Sequence, residues 1–236
     1  MNALAAMAEA AGRFRARLLA VPGSLARPLA APAPPLPGLE WSNLLLAAPS
    51  FRHGHVESFV APGRVSVLHV CLFPPLDDPA PIYGFDMVAG PARVTGIFLD
   101  FSPVVEATPG LRLADAVDPA RLAGFAAPRP LPPWGEVFSA DMLAVRPADS
   151  AEVARAIALA EAALQGWLAR PGRSAGPGAA SRIAAGQARY VAAQRRNEHT
   201  LRMLAGFIGA EAARRFIDDV LFPAVATPAA VPSRAA

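Results

Sequence analysis

The chain has 236 residues, 53% of them hydrophobic and 17% charged, which excludes a disordered chain, a charged coiled coil and a collagen-like repeat. Its formal net charge is +3, with arginine as the only strong base and no lysine, so its modest basicity gives no ground for nucleic-acid binding. The longest apolar run, Val65 to Leu76, is broken by His69 and two prolines and falls short of the roughly 20 residues that a membrane-crossing helix needs.

From the start of the chain, Ala3 to Ala20 reads as an amphipathic helix stopped by Pro22 and Gly23. Its arginines (Arg13, Arg15, Arg17) follow the apolar stretch, the wrong order for a signal peptide, so the segment is expected to be retained. The run Pro28 to Pro37 reads as a spacer. Short β-branched and aromatic runs follow: Leu39 to Leu46, His55 to Val60, Val65 to Phe73, Ile82 to Ala89 and Ala92 to Phe101. The connections between them are too short for crossover helices, which predicts an antiparallel meander. A further strand is expected over Glu136 to Val145. The last third reads as helices: one capped by Ser150 and ended by Pro171, one over Ser181 to Gly209 after the Gly/Ser/Ala stretch Gly172 to Ala180, and a short one over Ala210 to Leu221. Residues 224–236 are expected to form a disordered tail after one domain over 1–223. Strands in the middle and helices at both ends predict one antiparallel sheet with helices packed on it.

Polar groups interrupt this pattern. Alternation puts His69 on one face with Val65, Val67, Cys71 and Phe73, where it is either a hydrogen-bonded core residue or a reacting group. Asp86 lies between large apolar residues on a strand that reads as central. A buried carboxylate there must be paired or have a raised pKa, which makes it a candidate for handling protons, with a structural ion pair as the alternative. His55 and Glu57 share a face with Phe59, and register decides where they go. A three-residue turn at Pro62 to Arg64 sets Glu57 opposite His69, whereas a four-residue turn from Ala61 sends them to opposite faces. On the long helix, Tyr190, Gln194, Asn197, Leu201, Leu204 and Ile208 trace one stripe, with Arg195, Arg196, Glu198 and His199 beside it; this cluster either lies at the surface or lines a polar pocket over the strands.

Other signatures are missing. There is no phosphate-binding loop, dinucleotide fingerprint or nucleophile elbow, and the four histidines and one cysteine have no metal-ligand spacing, so no metal or bound cofactor is expected. Cys71 is the only cysteine and cannot form an internal disulfide, which suits a reducing cytoplasm.

Several ordered motifs carry a resemblance. They are Ser50-Phe51-Arg52 with His55 and Glu57; Leu68 to Pro74; Gly84 to Pro91; Leu99-Asp100-Phe101-Ser102-Pro103; Leu131 to Ser139 with its Pro-Pro-Trp; Arg146-Pro147; and Gln194 to Thr200 followed by Val220-Leu221-Phe222. Collinear from about Trp41 to Phe222, they resemble the ferredoxin-dependent bilin reductases, closest to the phycocyanobilin-forming branch. The resemblance implies an α/β/α sandwich whose central antiparallel sheet holds biliverdin IXα, with no flavin or metal, and a bilin radical fed by single electrons from reduced ferredoxin. It implies a monomeric, cytoplasmic oxidoreductase making phycocyanobilin by a four-electron reduction. A heme oxygenase would act upstream, and a phytochrome-type photoreceptor or phycobiliprotein would accept the product.

Residue by residue, the resemblance implies that Asp86 is the central proton donor at the pyrrole nitrogens, His69 its partner, and Glu57 the group that protonates the D-ring exovinyl. His55 matches a nearby histidine, and Arg146 an arginine holding a propionate. Asn197, Glu198 and His199 match substrate contacts, but relatives usually have aspartate at position 198 and the nearest ones lysine at position 199. Those departures motivate phycoerythrobilin as the alternative product, with Arg195 or Arg196 as substitute propionate partners. A non-catalytic bilin carrier is the other class considered, and the intact Glu57, His69 and Asp86 argue against it.

Overall fold

The computed structural model describes residues 3–29, 38–105, 112–172, 174–175 and 179–226. Helix α1 spans Ala3–Leu19, and the strands are β1 Leu25–Arg27, β2 Glu40–Ala48, β3 Phe51–Ala61, β4 Val65–Phe73, β5 Ile82–Ala89, β6 Val94–Ser102 and β7 Leu143–Val145. Two one-turn helices, α2 (Leu113–Ala116) and α3 (Pro119–Leu122), and a 3-10 turn at Gly135–Val137 lie between β6 and β7. Then come α4 Ser150–Ala169, α5 Ala179–Arg195, α6 Glu198–Ile208, α7 Ala210–Phe216 and a π-helical turn at Ile217–Leu221. The strands form one antiparallel sheet in chain order, β1 to β7. The predicted meander and the three-layer α/β/α arrangement are both present. Most of the spacer and of the C-terminal tail, 30–37 and 227–236, lies outside the described residues, as do 173 and 176–178 of the Gly/Ser/Ala stretch.

Alternation sorts the sheet into two faces. On one, Val56, Val70, Phe85, Met87 and Leu99 are buried under α1 and α4. Helix α1 turns Ala6, Ala10, Phe14 and Leu18 inward, and Phe14 packs on Phe85 with ring centroids 5.5 Å apart. Two buried polar anchors fix α4: Tyr83 Oη donates to the Ala160 carbonyl and Trp167 Nε1 to the Pro81 carbonyl, both at 2.9 Å. On the other face, Phe59, Val67, Cys71, Phe73 and Ile82 lie under α5, α6, α7 and the π-helical turn. Helix α5 crosses close to the chain after β6, where a Cβ on Gly186 would lie 1.6 Å from the Val104 carbonyl oxygen. Gly186→Ala must therefore move a helix or a strand end, and a loss of at least about 3 kcal/mol is expected in denaturant unfolding. Gly12→Ala on α1, with open space around it, is the control and is expected to gain up to about 1 kcal/mol from helix propensity.

Four expectations need correction. The strand expected over Glu136 to Val145 forms only at Leu143–Val145, because the Asp100 carboxylate captures the preceding segment: Ser139 donates to it through its backbone N at 3.1 Å and through its hydroxyl. The cap of α4 is Asp149 rather than Ser150; its Oδ1 accepts from the backbone of Ala151 and Glu152, each at 2.9 Å. The helix expected over Ser181 to Gly209 is two helices. Asn197 caps the second, its Oδ1 accepting from the backbone N of His199 at 3.1 Å and of Thr200 at 3.4 Å. The apolar stripe continues through this break, which is why periodicity alone joined the two. Finally, Asp86 is not buried: 39% of its side chain is exposed.

Candidate active site

The turn between β3 and β4 is the three-residue one, closed by Arg64 N donating to the Ala61 carbonyl, so Glu57 pairs with His69. His69 in turn pairs with Asp86. Asn43, Glu57, His69, Asp86 and Phe98 thus form one row across five adjacent strands, all on the face under α5 to α7. Asp86, Gly84, Val88 and Phe98 are half-buried on that face, while their β5 neighbours Tyr83, Phe85, Met87 and Ala89 on the other face are fully covered. Tyr190 of α5 reaches Gly84, but beyond it Asp86, Val88 and Phe98 are only partly covered, which accounts for the exposure of Asp86.

His69 Nδ1 lies 2.7 Å from Asp86 Oδ1. Burial pulls the His69 pKa down, but the Asp86 charge, the hydrogen bond to it and the nearby Glu57 outweigh that, and the net effect is a raised pKa. A protonated imidazole beside the Asp86 carboxyl group is favoured. Glu57 is almost fully buried, and Trp41 Nε1 donates to its Oε1 at 2.7 Å. Burial pushes its carboxyl up to about 7 against the opposing effects of His69 and the Trp41 bond. It therefore carries a proton over a good part of the neutral range, the state a general acid needs.

His55 Nε2 lies 2.9 Å from Asn43 Oδ1. Burial and the neighbouring His69 and His53 hold the His55 pKa well down, so the ring is neutral and Nε2 carries the hydrogen that it donates to Asn43. That leaves His55 Nδ1 buried without a partner, as is His69 Nε2. Unpaired buried nitrogens cost about 1–3 kcal/mol each, and two of them on one polar patch suit a ligand that supplies the missing bonds. The rings of His55 and His69 are 5.7 Å apart, and Phe222 closes over His69 at 6.0 Å. Asn43 and Trp41, which hold His55 and Glu57 in place, were missed in the sequence; their two-residue spacing, which puts both on one face of β2, was the available signal.

The other expected site residues are dispersed. Arg146 is exposed just past β7; its predecessor by two, Ala144, pairs with Phe98, so register puts Arg146 on the same face as Asp86. Asn197 spends its side-chain oxygen on the α6 cap. Glu198 and His199 are exposed in the first turn of α6, and both contact Arg202, at 3.0 and 3.2 Å. Gln194 Nε2 donates to Tyr190 Oη at 2.9 Å, Arg195 Nε donates to the Phe222 carbonyl at 3.0 Å, and Arg196 pairs with Glu136 at 3.2 Å. Of the two readings of this cluster, surface or pocket, the exposure of Arg196, Glu198 and His199 and the local partners of these side chains fit the surface one. A cleft of about 580 Å³ lies instead between α5 and the segments at Pro103 and Glu136, and none of Glu57, His69 and Asp86 lines it. Among the described residues no group of three or more histidine, cysteine or acidic side chains is placed to hold a metal ion.

Comparison with known proteins adds the decisive observation, since the family model for ferredoxin-dependent bilin reductases matches residues 33–223. The chain belongs to that family. As a member it is an oxidoreductase. The phycocyanobilin:ferredoxin oxidoreductase of Prochlorococcus marinus (strain MIT 9313) is 32% identical over 190 residues, covering 77% of this chain and 70% of that protein. The enzyme of the same name from Gloeobacter violaceus is 32% identical over 176 residues, covering 73% of this chain and 69% of that protein. The crystal structure of tomato phytochromobilin synthase in complex with biliverdin superposes with a TM-score of 0.73 over 93% of this chain and 82% of that one. At 16% identity, that likeness is one of fold. No helix among the described residues is long and apolar enough to cross a membrane.

Proposed function

We propose that this bilin reductase converts biliverdin IXα to phycocyanobilin with four electrons, delivered singly by reduced ferredoxin, and four protons. The observation that carries the reading is the row Glu57, His69, Asp86 on adjacent strands, the three proton-handling groups of the phycocyanobilin-forming branch in one register. The bilin lies on the open part of the sheet, over Asp86, Val88 and Phe98.

Each one-electron step oxidises a ferredoxin cluster and makes the bilin more basic, so that a proton must follow. The pair of His69 and Asp86 holds that proton on His69; His69 passes it to Asp86, which faces the open part of the sheet and hands it to the tetrapyrrole core, and solvent then reprotonates His69. Glu57 acts at the D-ring exovinyl. Its enclosure keeps it protonated near neutral pH, and the Trp41 bond to Oε1 leaves Oε2 to carry the proton. Neutral His55 accepts at Nδ1 from the bilin, and Arg146 takes a propionate in a bidentate bond.

Anaerobic turnover of biliverdin IXα with reduced ferredoxin, followed by chromatography of the products, tests the reading. Phycocyanobilin is expected. Phycoerythrobilin would move the product assignment to the altered Glu198 and His199, of which Glu198 is committed to Arg202. Binding without reduction would make the chain a carrier.

A further inference from the structure

One helix face among the described residues carries a row of exposed arginines. Arg182 and Arg189 of α5 and Arg196 in the turn just after it recur at every seventh residue, drifting about 20° per heptad, and all three are exposed over a span of about 21 Å. Among the described residues Arg182 and Arg189 make no hydrogen bond or ion pair, and Arg196 shares a solvent-exposed contact with Glu136 that is worth little. Several arginines elsewhere are neutralised: Arg13 by Glu161, Arg112 by Asp141, Arg170 by Asp78, Arg202 by Glu198 and Arg215 by Glu211. The other exposed arginines among the described residues without an ion pair or side-chain hydrogen bond, Arg27, Arg64, Arg93, Arg121, Arg146 and Arg214, stand singly on separate segments of the chain, whereas these three share one helix face. Between the α5 arginines the exposed residues are Ala185, Ala188 and Ala192, small enough for another protein to approach the helix closely. Arg189 and Arg196 also form one wall of the 580 Å³ cleft, giving the surface a concave edge.

The opposite side of α5 faces the active site. Tyr190, next to Arg189, packs on Phe222 with centroids 6.3 Å apart, and Phe222 packs on His69 at 6.0 Å. A partner seated on the arginines is thus separated from the polar row by one helix and two aromatic rings. Electron transfer falls steeply with distance, so this is a short approach for a donor that never enters the bilin cleft.

We propose that the Arg182, Arg189 and Arg196 face of α5 is the docking surface for the electron donor, an acidic [2Fe–2S] ferredoxin. The proposal rests on ferredoxin being the donor, as argued above, and adds where it binds. Opposite charge steers such a partner to the face and makes the encounter sensitive to salt, while the cleft beside Arg189 fixes its orientation.

The test is a calorimetric titration of an oxidised, acidic plant-type ferredoxin into the full chain at low ionic strength, which reads binding without turnover. Arg182→Glu/Arg189→Glu is expected to weaken binding at least about tenfold and to flatten its salt dependence, with the absorbance titration of biliverdin unchanged. Arg93→Glu/Arg121→Glu makes the same change in net charge away from α5 and is expected to stay within about threefold of wild type. Absent wild-type binding, an α5 variant that binds like wild type, or a control that loses as much would each overturn the surface. Wild-type binding that the α5 variant loses, in a protein that does not reduce biliverdin, would uphold the surface and overturn the proposed activity.

Discussion

Asp86→Asn is expected to lower bilin turnover by at least about a hundredfold while leaving biliverdin affinity within about threefold of wild type, because an amide of the same shape cannot hand on a proton. The substitution also removes the charge that raises the His69 pKa. His69 then loses its proton at a lower pH, and both members of the pair are disabled together. Single electrons still reach the bilin, so anaerobic single turnover followed by electron paramagnetic resonance should show a radical that outlives the one in wild type. Asp86 is 39% exposed on its side-chain surface, so loss of folding is not the expected cause of inactivity. Turnover within a few-fold of wild type would remove Asp86 from the chemistry.

Glu57→Gln tests a different step. The variant keeps the acceptor for Trp41 Nε1 but has no proton to give, and D-ring reduction should slow by about 10²–10⁴-fold. A partially reduced bilin is expected to accumulate in place of phycocyanobilin, seen by chromatography. The same variant has a stability signature. Burial raises the Glu57 pKa from 4.5 to about 7 in the folded state, so the folded protein holds this proton more tightly than the unfolded chain. The associated stability is fully present below pH 4.5 and is lost as pH rises through 7. Above that, the wild type bears a cost of about 3 kcal/mol that the glutamine variant does not. Relative to wild type, the variant should therefore gain thermal stability between about pH 5 and 8. Using the difference between the two proteins matters, because neutral His53, lowered to about 3 by burial, and His55 act in the opposite sense as pH falls below 6.5.

The strands that carry the site were legible because their code is local. Period-two alternation and short turns specify an antiparallel meander, and once the Pro62 to Arg64 turn is read as three residues, the pairing of Glu57 with His69 follows from register; the pairing of His69 with Asp86 does not, because the longer connection Pro74 to Pro81 joins β4 to β5. What alternation does not encode is the covering layer. Asp86 sits between apolar neighbours whether or not a helix lies over it, so its exposure depends on where α5 to α7 stop, a matter of long-range packing. The break between α5 and α6 was hidden for a related reason. Asn197 serves a stripe and a cap equally well on paper, and only its bonds to the His199 and Thr200 backbone decide between them. Strand β1 gave no signal because all three of its residues are exposed, and the short β7 was overextended because Asp100's capture of Ser139 is a contact between residues 39 apart. The roles of Glu57, His69 and Asp86 came from motif resemblance; composition and periodicity marked them as anomalies but named no substrate.

The central claim is that the polar row is where the bilin sits, and nitrogen-15 NMR of the histidine side chains in the full-length protein, titrated anaerobically with biliverdin and no reductant, tests it most directly. Binding is expected to shift the signals of His69 Nε2 and His55 Nδ1, both buried without partners on the polar row, and to leave exposed His199 much less affected. Saturating biliverdin that moves neither His69 nor His55 would contradict the account.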